Sequence, residues 1–177
     1  MTALRDDLRL SELSIPGTHE SMARFGTDYA ECQSMTLADQ LQSGIRVLDI
    51  RCAVAKPIFQ IYHGIAYQHA SFDDVLRTVV AFLRNHRGET VLMRVKEERT
   101  NRPGEFEEIF RHTYWNNTAY KDFMWKGKDG HYDPNPTLGE IRGKIVILQD
   151  FARWTCPNPG EVASRARPGI RHMLQLI

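Results

Sequence analysis

What most constrains the fold of this chain is its alternation of short apolar runs with amphipathic helical stretches. Residues 13–15, 45–50, 58–62, 91–95 and 145–148 read as strands, bounded by turn residues. The clearest helix is Phe72–Asn85, where Phe72, Val75, Leu76, Val79, Val80 and Leu83 form one stripe, Ser71 with Asp74 makes an N-terminal cap and Gly88 lies past the end. A shorter helix, Leu37–Gln42, is introduced by Thr36 and followed by Gly44, and another begins at Pro103-Gly104 and runs through Phe106, Ile109 and Phe110. This pattern predicts an α/β fold of repeated β/α units around a mostly parallel sheet, with the long helix packed across its outside. No internal repeat or low-complexity tract interrupts it.

Polar clusters stand where the strands end. Ile15-Pro16-Gly17-Thr18-His19-Glu20, Leu48-Asp49-Ile50-Arg51 and Ile61-Tyr62-His63-Gly64 bring two histidines, two carboxylates and one arginine toward one rim. Such a set suits phosphodiester cleavage. One imidazole takes a proton from an attacking hydroxyl, another gives one to the leaving oxygen, and a guanidinium between them holds the phosphate and offsets its developing charge. Residues 49 and 51 point to the same face of a strand. Taken singly, each residue has a plainer reading: His19 capping a turn, Asp49 capping a strand or pairing with Arg46, Arg51 pairing with Asp49.

The order and spacing of these clusters, with Lys96-Glu97-Glu98 after another strand and Gly143-Lys144-Ile145-Val146-Ile147-Leu148 as the last clear piece, resemble the phosphatidylinositol-specific phospholipase C X-domain family. The bacterial and fungal single-domain members are more similar than the calcium-dependent animal enzymes. The resemblance implies a TIM-like (β/α) barrel and a phosphoric diester lyase/hydrolase that converts phosphatidylinositol to 1,2-cyclic inositol phosphate and diacylglycerol. It implies His19 as general base toward the inositol 2-hydroxyl and His63 as general acid toward the departing diacylglycerol oxygen. Glu20 and Asp49 are the carboxylates expected near His63, Glu20 replacing the more usual Asp or Asn. Arg51 stands where calcium-dependent members carry a carboxylate, so a metal-independent site with no cofactor is expected. Lys96 matches a lysine that helps hold the substrate head group; an ordinary ion pair with Glu97 or Glu98 is its other reading. Gln149-Asp150 occupies the region where the bacterial pattern has an inositol-contacting arginine, and Arg153 is near enough to compensate. A related phosphodiesterase with another head group, or a noncatalytic lipid-binding remnant, is the alternative function.

Length qualifies the fold. A closed barrel of eight β/α units takes about 250 residues, so 177 residues are expected to hold an incomplete one. The division expected is 1–153 as the N-terminal part of the barrel and 154–177 as an atypical tail, in which Cys156-Pro157-Asn158-Pro159-Gly160 and Arg165, Arg167 and Arg171 follow no strand or helix period. Unpaired strand edges and uncovered apolar surface would favour self-association.

Composition excludes other classes. A net charge of +1 gives no general attraction to nucleic acid or to an anionic membrane, so any charge used in binding is local. No run approaches the roughly 18 apolar residues of a membrane span. Residues 1–10 carry Arg5, Asp6, Asp7 and Arg9 where a signal peptide needs an apolar stretch, so a soluble chain without its own export signal is expected, although the resemblance implies a secreted, extracellular enzyme. The expected partners are phosphatidylinositol or a related phospholipid and, transiently, a membrane surface, with no obligate protein partner. Tyr114, Trp115, Tyr120, Phe123, Trp125 and Tyr132 read either as a membrane-facing rim or as core. Cys32, Cys52 and Cys156 lack zinc-site spacing; a Cys32 to Cys52 bridge and buried free thiols are both open.

Overall fold

The structure, a computed structural model, describes residues 1–99, 104–128 and 133–151. One mixed sheet contains β1 Gly17–Thr18, β2 Val47–Ala55, β3 Ile58–His63, β4 Ala66–Ser71, β5 Val91–Arg99 and β6 Ile145–Asp150. Its order is β4-β3-β2-β5-β6, with β1 beside β2. The parallel expectation holds for β1, β2, β5 and β6. β3 and β4 instead fold back antiparallel. The reason is chain length: only Lys56 and Pro57 separate β2 from β3, enough for a hairpin but far short of the dozen or so residues a crossover needs.

β2 and β5 run on to Ala55 and Arg99, past the expected 45–50 and 91–95, and two further parts of the sheet differ more from the sequence reading. Residues 13–15 are irregular, and pairing begins at Gly17. Pro16 has no N–H to donate; its carbonyl accepts from Arg46 and Val47 and leads the chain into β1. β4 is absent from the expected set because Ala66-Tyr67-Gln68-His69-Ala70-Ser71 carries little apolar signal, yet Gly64, at φ 55°, turns the chain so that Ala66 pairs with His63.

The helices α1 Leu37–Gln42 and α2 Phe72–Asn85 occupy the expected residues. Thr36 Oγ1 accepts from Asp39 N at 3.2 Å, and Ser71 and Asp74 form a reciprocal capping box. α2 buries Phe72, Val75, Leu76, Val79, Val80, Phe82 and Leu83 against the sheet. Each such side chain stabilises the fold by about 1.5–3 kcal/mol over leaving it in water. α3 Glu105–Ile109 starts after Gly104 and continues into a π-helical turn, Phe110–Trp115; α4 Leu138–Ile141 precedes β6. Tyr114, Tyr120 and Trp125 are buried, while Trp115 and Phe123 pack on the core, so the aromatic concentration serves packing. Tyr132, Arg153, Cys156 and the expected 154–177 tail lie outside the described residues. Cys32 and Cys52 are free thiols, one exposed and one buried, and no bridge joins them.

One face of the sheet is layered. Val47, Leu92 and Val146 lie in register within an apolar cluster that also holds Leu138 and Ile141. The next row is Asp49, Arg94 and Leu148, and the next is Arg51, Lys96 and Asp150. Because side chains on one face recur every second residue, this face changes from apolar to charged toward the C-terminal ends of the parallel strands. That is the end at which β/α barrels build their sites. Among the described residues the sheet does not close, and β4 and β6 are its outer strands.

Candidate active site

The site begins as a gap along one edge of β2. β5 occupies the other edge, whereas on this one β1 pairs with Val47 and Leu48 and β3 with Cys52 to Ala55, leaving Asp49, Ile50 and Arg51 between them. The turn after β1 fills that gap. Ser21 N donates to the Asp49 carbonyl at 2.9 Å, and Asp49 N donates to Ser21 Oγ at 2.8 Å. Buried Gln40 fastens the turn from α1: it accepts from Thr18 Oγ1 at 2.8 Å, and its amide donates to the carbonyls of Ser21 (2.9 Å) and Met35 (3.1 Å). Gln33 donates to the His19 carbonyl at 2.6 Å. Held this way, Glu20 adopts φ 48°, left-handed backbone that is costly for a residue with a Cβ. Its N–H donates to Asp49 Oδ2 at 3.1 Å.

All six residues singled out in the sequence lie along one connected row. His19 Nδ1 stands 3.4 Å from Asp49 Oδ2. Arg51 is paired with Glu20 and lies 3.4 Å from both Asp49 Oδ2 and Glu98 Oε1. His63 Nε2 is 3.6 Å from Glu20 Oε1, and His63 Nδ1 lies 3.0 Å from the Ala30 carbonyl. Lys96 donates to Glu98 Oε2 at 2.9 Å, and Gly64 N donates to Glu98 Oε1 at 2.9 Å. The partition of carboxylates departs from expectation: Glu20 serves His63, but Asp49 stands against His19. Arg46 is also not a partner of Asp49; it donates to Glu89 at 2.8 Å, beyond the opposite end of the strand.

Burial sets the electrostatics. Removing the Glu20 carboxylate from water pushes its pKa up to about 7, against the pull of Arg51 and His63. Partial burial lowers His19, Asp49 raises it, and the charges of Arg51, His63 and Arg94 lower it further. Glu98 is half-buried, which opposes its charge, but hydrogen bonds from Lys96 and Gly64 with the charge of Arg51 hold it below the usual range. The row therefore contains one carboxyl that binds a proton readily, one carboxylate that resists it and an imidazole biased toward its neutral form.

Arg94 contributes to this row without a part in the sequence reasoning, and Glu98, expected only as an ion-pair partner of Lys96, also reaches Arg51 and Gly64. Arg94 donates to Asp49 Oδ1 at 2.6 Å and to Asp150 Oδ2 at 2.5 Å. The available signal is period two: residues 94, 96 and 98 are polar and share the face that carries Asp49 and Arg51. Arg51 fills the space among Glu20, Asp49 and Glu98, a guanidinium surrounded by three carboxylates.

A layered β/α sheet with its charged rows at the C-terminal strand ends is an arrangement the chain shares with β/α-barrel proteins, although the sheet is open among the described residues. The sequence pattern of the phosphatidylinositol-specific phospholipase C X domain matches residues 8–150, and the chain belongs to that family. It is 37% identical over 158 residues to a 1-phosphatidylinositol phosphodiesterase of Listeria monocytogenes, covering 85% of this chain and 48% of that protein. Among solved structures, a Staphylococcus aureus phosphatidylinositol-specific phospholipase C studied for modulation of its membrane binding matches with TM-score 0.77 and 31% identity, covering 85% of this chain and 52% of the other. The Listeria monocytogenes phosphatidylinositol-specific phospholipase C matches with TM-score 0.73 and 35% identity, covering 85% and 56%. The chain spans about half the length of the curated relatives it matches.

Proposed function

We propose that this site cleaves the phosphodiester of an inositol phospholipid by general acid–base chemistry, the hydroxyl beside the phosphate acting as nucleophile. The observation that carries the reading is the continuous row His19, Asp49, Arg51, Glu20, His63, in which two imidazoles, each against its own carboxylate, are linked through one guanidinium. His19, biased toward its neutral form, takes the 2-hydroxyl proton as that oxygen bonds to phosphorus. The bond from phosphorus to the glycerol oxygen breaks, and that oxygen takes a proton from His63. The products are a 1,2-cyclic inositol phosphate and diacylglycerol. With His63 Nδ1–H donating to Ala30, Nε2 beside Glu20 is the nitrogen that delivers the proton. Asp49 orients His19, Arg51 binds the phosphoryl oxygens, and Lys96 holds the head group.

Placing the hydroxyl beside phosphorus makes attack effectively unimolecular, so no protein nucleophile is required. Arg51 provides the charge stabilisation that a divalent ion would otherwise supply. Contact with a lipid surface is supported by Tyr29 and Ile65, which are 94% and 88% exposed and adjoin Ala30 and Gly64 on either side of His63. Action outside the cell follows from the family resemblance.

Phosphorus NMR of phosphatidylinositol micelles with excess chelator tests the reading. The protein should produce a cyclic phosphodiester resonance, and His19→Ala and His63→Ala should each slow its appearance by about 10²–10⁴-fold. A rate unchanged in His19→Ala would overturn the assignment. Turnover only of a phospholipid with another head group would replace the substrate while keeping the acid–base pair.

A further inference from the structure

Arg94 has no part in the chemistry just described, yet it joins the most buried carboxylate of the row to the rim. It projects from β5 in register with Asp49 and donates one N–H group to Asp49 Oδ1 at 2.6 Å and another to Asp150 Oδ2, on β6, at 2.5 Å. Asp49 is 1% exposed, whereas the side chains of Arg94 and Asp150 are 29% and 40% exposed. The bridge thus crosses three strands from the interior to solvent.

We infer that Arg94 is a positioning residue for His19: it occupies one oxygen of Asp49 so that the other faces the imidazole, and Asp150 governs how strongly it does so. This deepens the proposed function, since it rests on His19 being the base. The two oxygens of Asp49 are divided cleanly. Oδ1 receives Arg94; Oδ2 receives the Glu20 N–H at 3.1 Å and faces His19 and Arg51, each at 3.4 Å. Without Arg94 the carboxylate could rotate, and its charge would be shared by one cation fewer.

The consequence for His19 has a definite sign. Among the described residues, the charges that bear directly on its imidazole are Asp49 and Arg51 from β2, His63 from β3 and Arg94 from β5; Glu20, Glu98, Lys96 and Asp150 stand behind them, Glu20 and Glu98 against Arg51, Lys96 against Glu98 and Asp150 against Arg94. Removing Arg94 deletes a cation near the imidazole and leaves more of the Asp49 charge for it, and both changes favour imidazolium. Neutralising Asp150 leaves Arg94 unopposed, which favours the neutral ring. Opposite signs in the two variants are what an arginine set between Asp49 and Asp150 predicts, whereas a residue electrically remote from His19 would move it in neither.

The test follows His19 itself, by NMR titration of carbon-13-labelled histidine, in the unmodified protein, Arg94→Gln and Asp150→Asn, with His19→Ala identifying the resonance. Arg94→Gln should raise the His19 pKa by about one unit, a tenfold change in its protonation ratio. Asp150→Asn should lower it by only about a few tenths, because a half-exposed charge is largely screened by solvent and salt. An unmoved His19 in folded Arg94→Gln, or shifts of the same sign in both variants, would overturn the inference. Should Arg94→Gln not fold, the half-exposed Asp150 variant decides alone: a fall supports the inference, and a rise or no change refutes it. The acid limb of kcat/KM, measured in parallel, separates this result from the underlying mechanism. If His19 titrates as expected but the limb does not follow it, the reading of His19 as base fails, and what stands is the coupling of Arg94 to the His19 imidazole through Asp49.

Discussion

Replacing Glu20 by Gln should make the protein more stable above neutral pH while damaging the site. The side chain is almost wholly enclosed, and its pKa lies at about 7 against an ordinary 4.5. Between those values the folded state holds a proton that the unfolded state has released. Stability from this group is therefore fully present below pH 4.5 and is lost as pH rises through 7. A shift of this size, at about 1.4 kcal/mol per unit, corresponds to about 3 kcal/mol. Gln has the shape of protonated Glu and cannot ionise, so the two proteins should be about equally stable near pH 4.5. The variant should lead by about 3 kcal/mol at pH 8. Glu89 does not obscure the comparison. Although burial opposes it, hydrogen bonds from Thr2, the N-terminal amine and Arg46 hold its pKa well below the usual range. Its contribution is lost only as pH falls below the unfolded value, equally in both proteins. Urea unfolding at pH 5, 6, 7 and 8 measures the effect; at roughly 2 kcal/mol per molar, the midpoints should separate by about 1.5 M at the alkaline end. Midpoints that remain parallel across this range would refute the argument that burial dominates Glu20.

Three further outcomes test other parts of the structure. Because burial and neighbouring cations lower the His19 pKa, the acid limb of kcat/KM should fall below pH 6.5, and a limb above 7 would contradict its assignment as base. Arg51→Lys keeps the charge but loses the planar fork that meets Glu20, Asp49 and Glu98, so kcat/KM should drop by about 100-fold or more with no rescue by calcium; near-normal turnover would rule out a bidentate role. Tyr114→Phe removes the acceptor of the buried Phe59 N–H, 2.8 Å away, and should cost about 1–3 kcal/mol in equilibrium unfolding with little change in kcat.

Local chemistry decided which elements were legible in the sequence. α1 and α2 are readable to the residue because Thr36 and the Ser71 and Asp74 pair write their starts into the chain. β4 is not, because its side chains are mostly polar and its place depends on the turn at Gly64 and on pairing with β3. Apolar periodicity is also blind to strand direction; with strands read at 45–50 and 58–62 the link is residues 51–57, and only the run of β2 on to Ala55 shortens it to Lys56 and Pro57, which permit nothing but an antiparallel return. In the site, the side chains that meet at the rim follow motifs at strand ends. Which carboxylate meets which histidine does not: that depends on the turn after β1 entering the gap in β2, a contact between residues 21 and 49 set by Gln40 from a third element. Arg94 escaped notice because a lone arginine inside an apolar strand resembles an ordinary solvent-facing residue until its register with Asp49 is known.

The backbone of Glu20 has a bearing on redesign. A left-handed conformation and an enclosed carboxylate both oppose folding at this one position, so any search that ranks substitutions by thermal robustness should return glycine or an amide there among its first choices. Such a variant would melt later above neutral pH, but Arg51 would lose an anionic partner and His63 the group beside its Nε2. Thermostability screens of this chain are therefore best run with position 20 locked, because there the pressure toward a hardier protein and the pressure toward an intact site point in opposite directions.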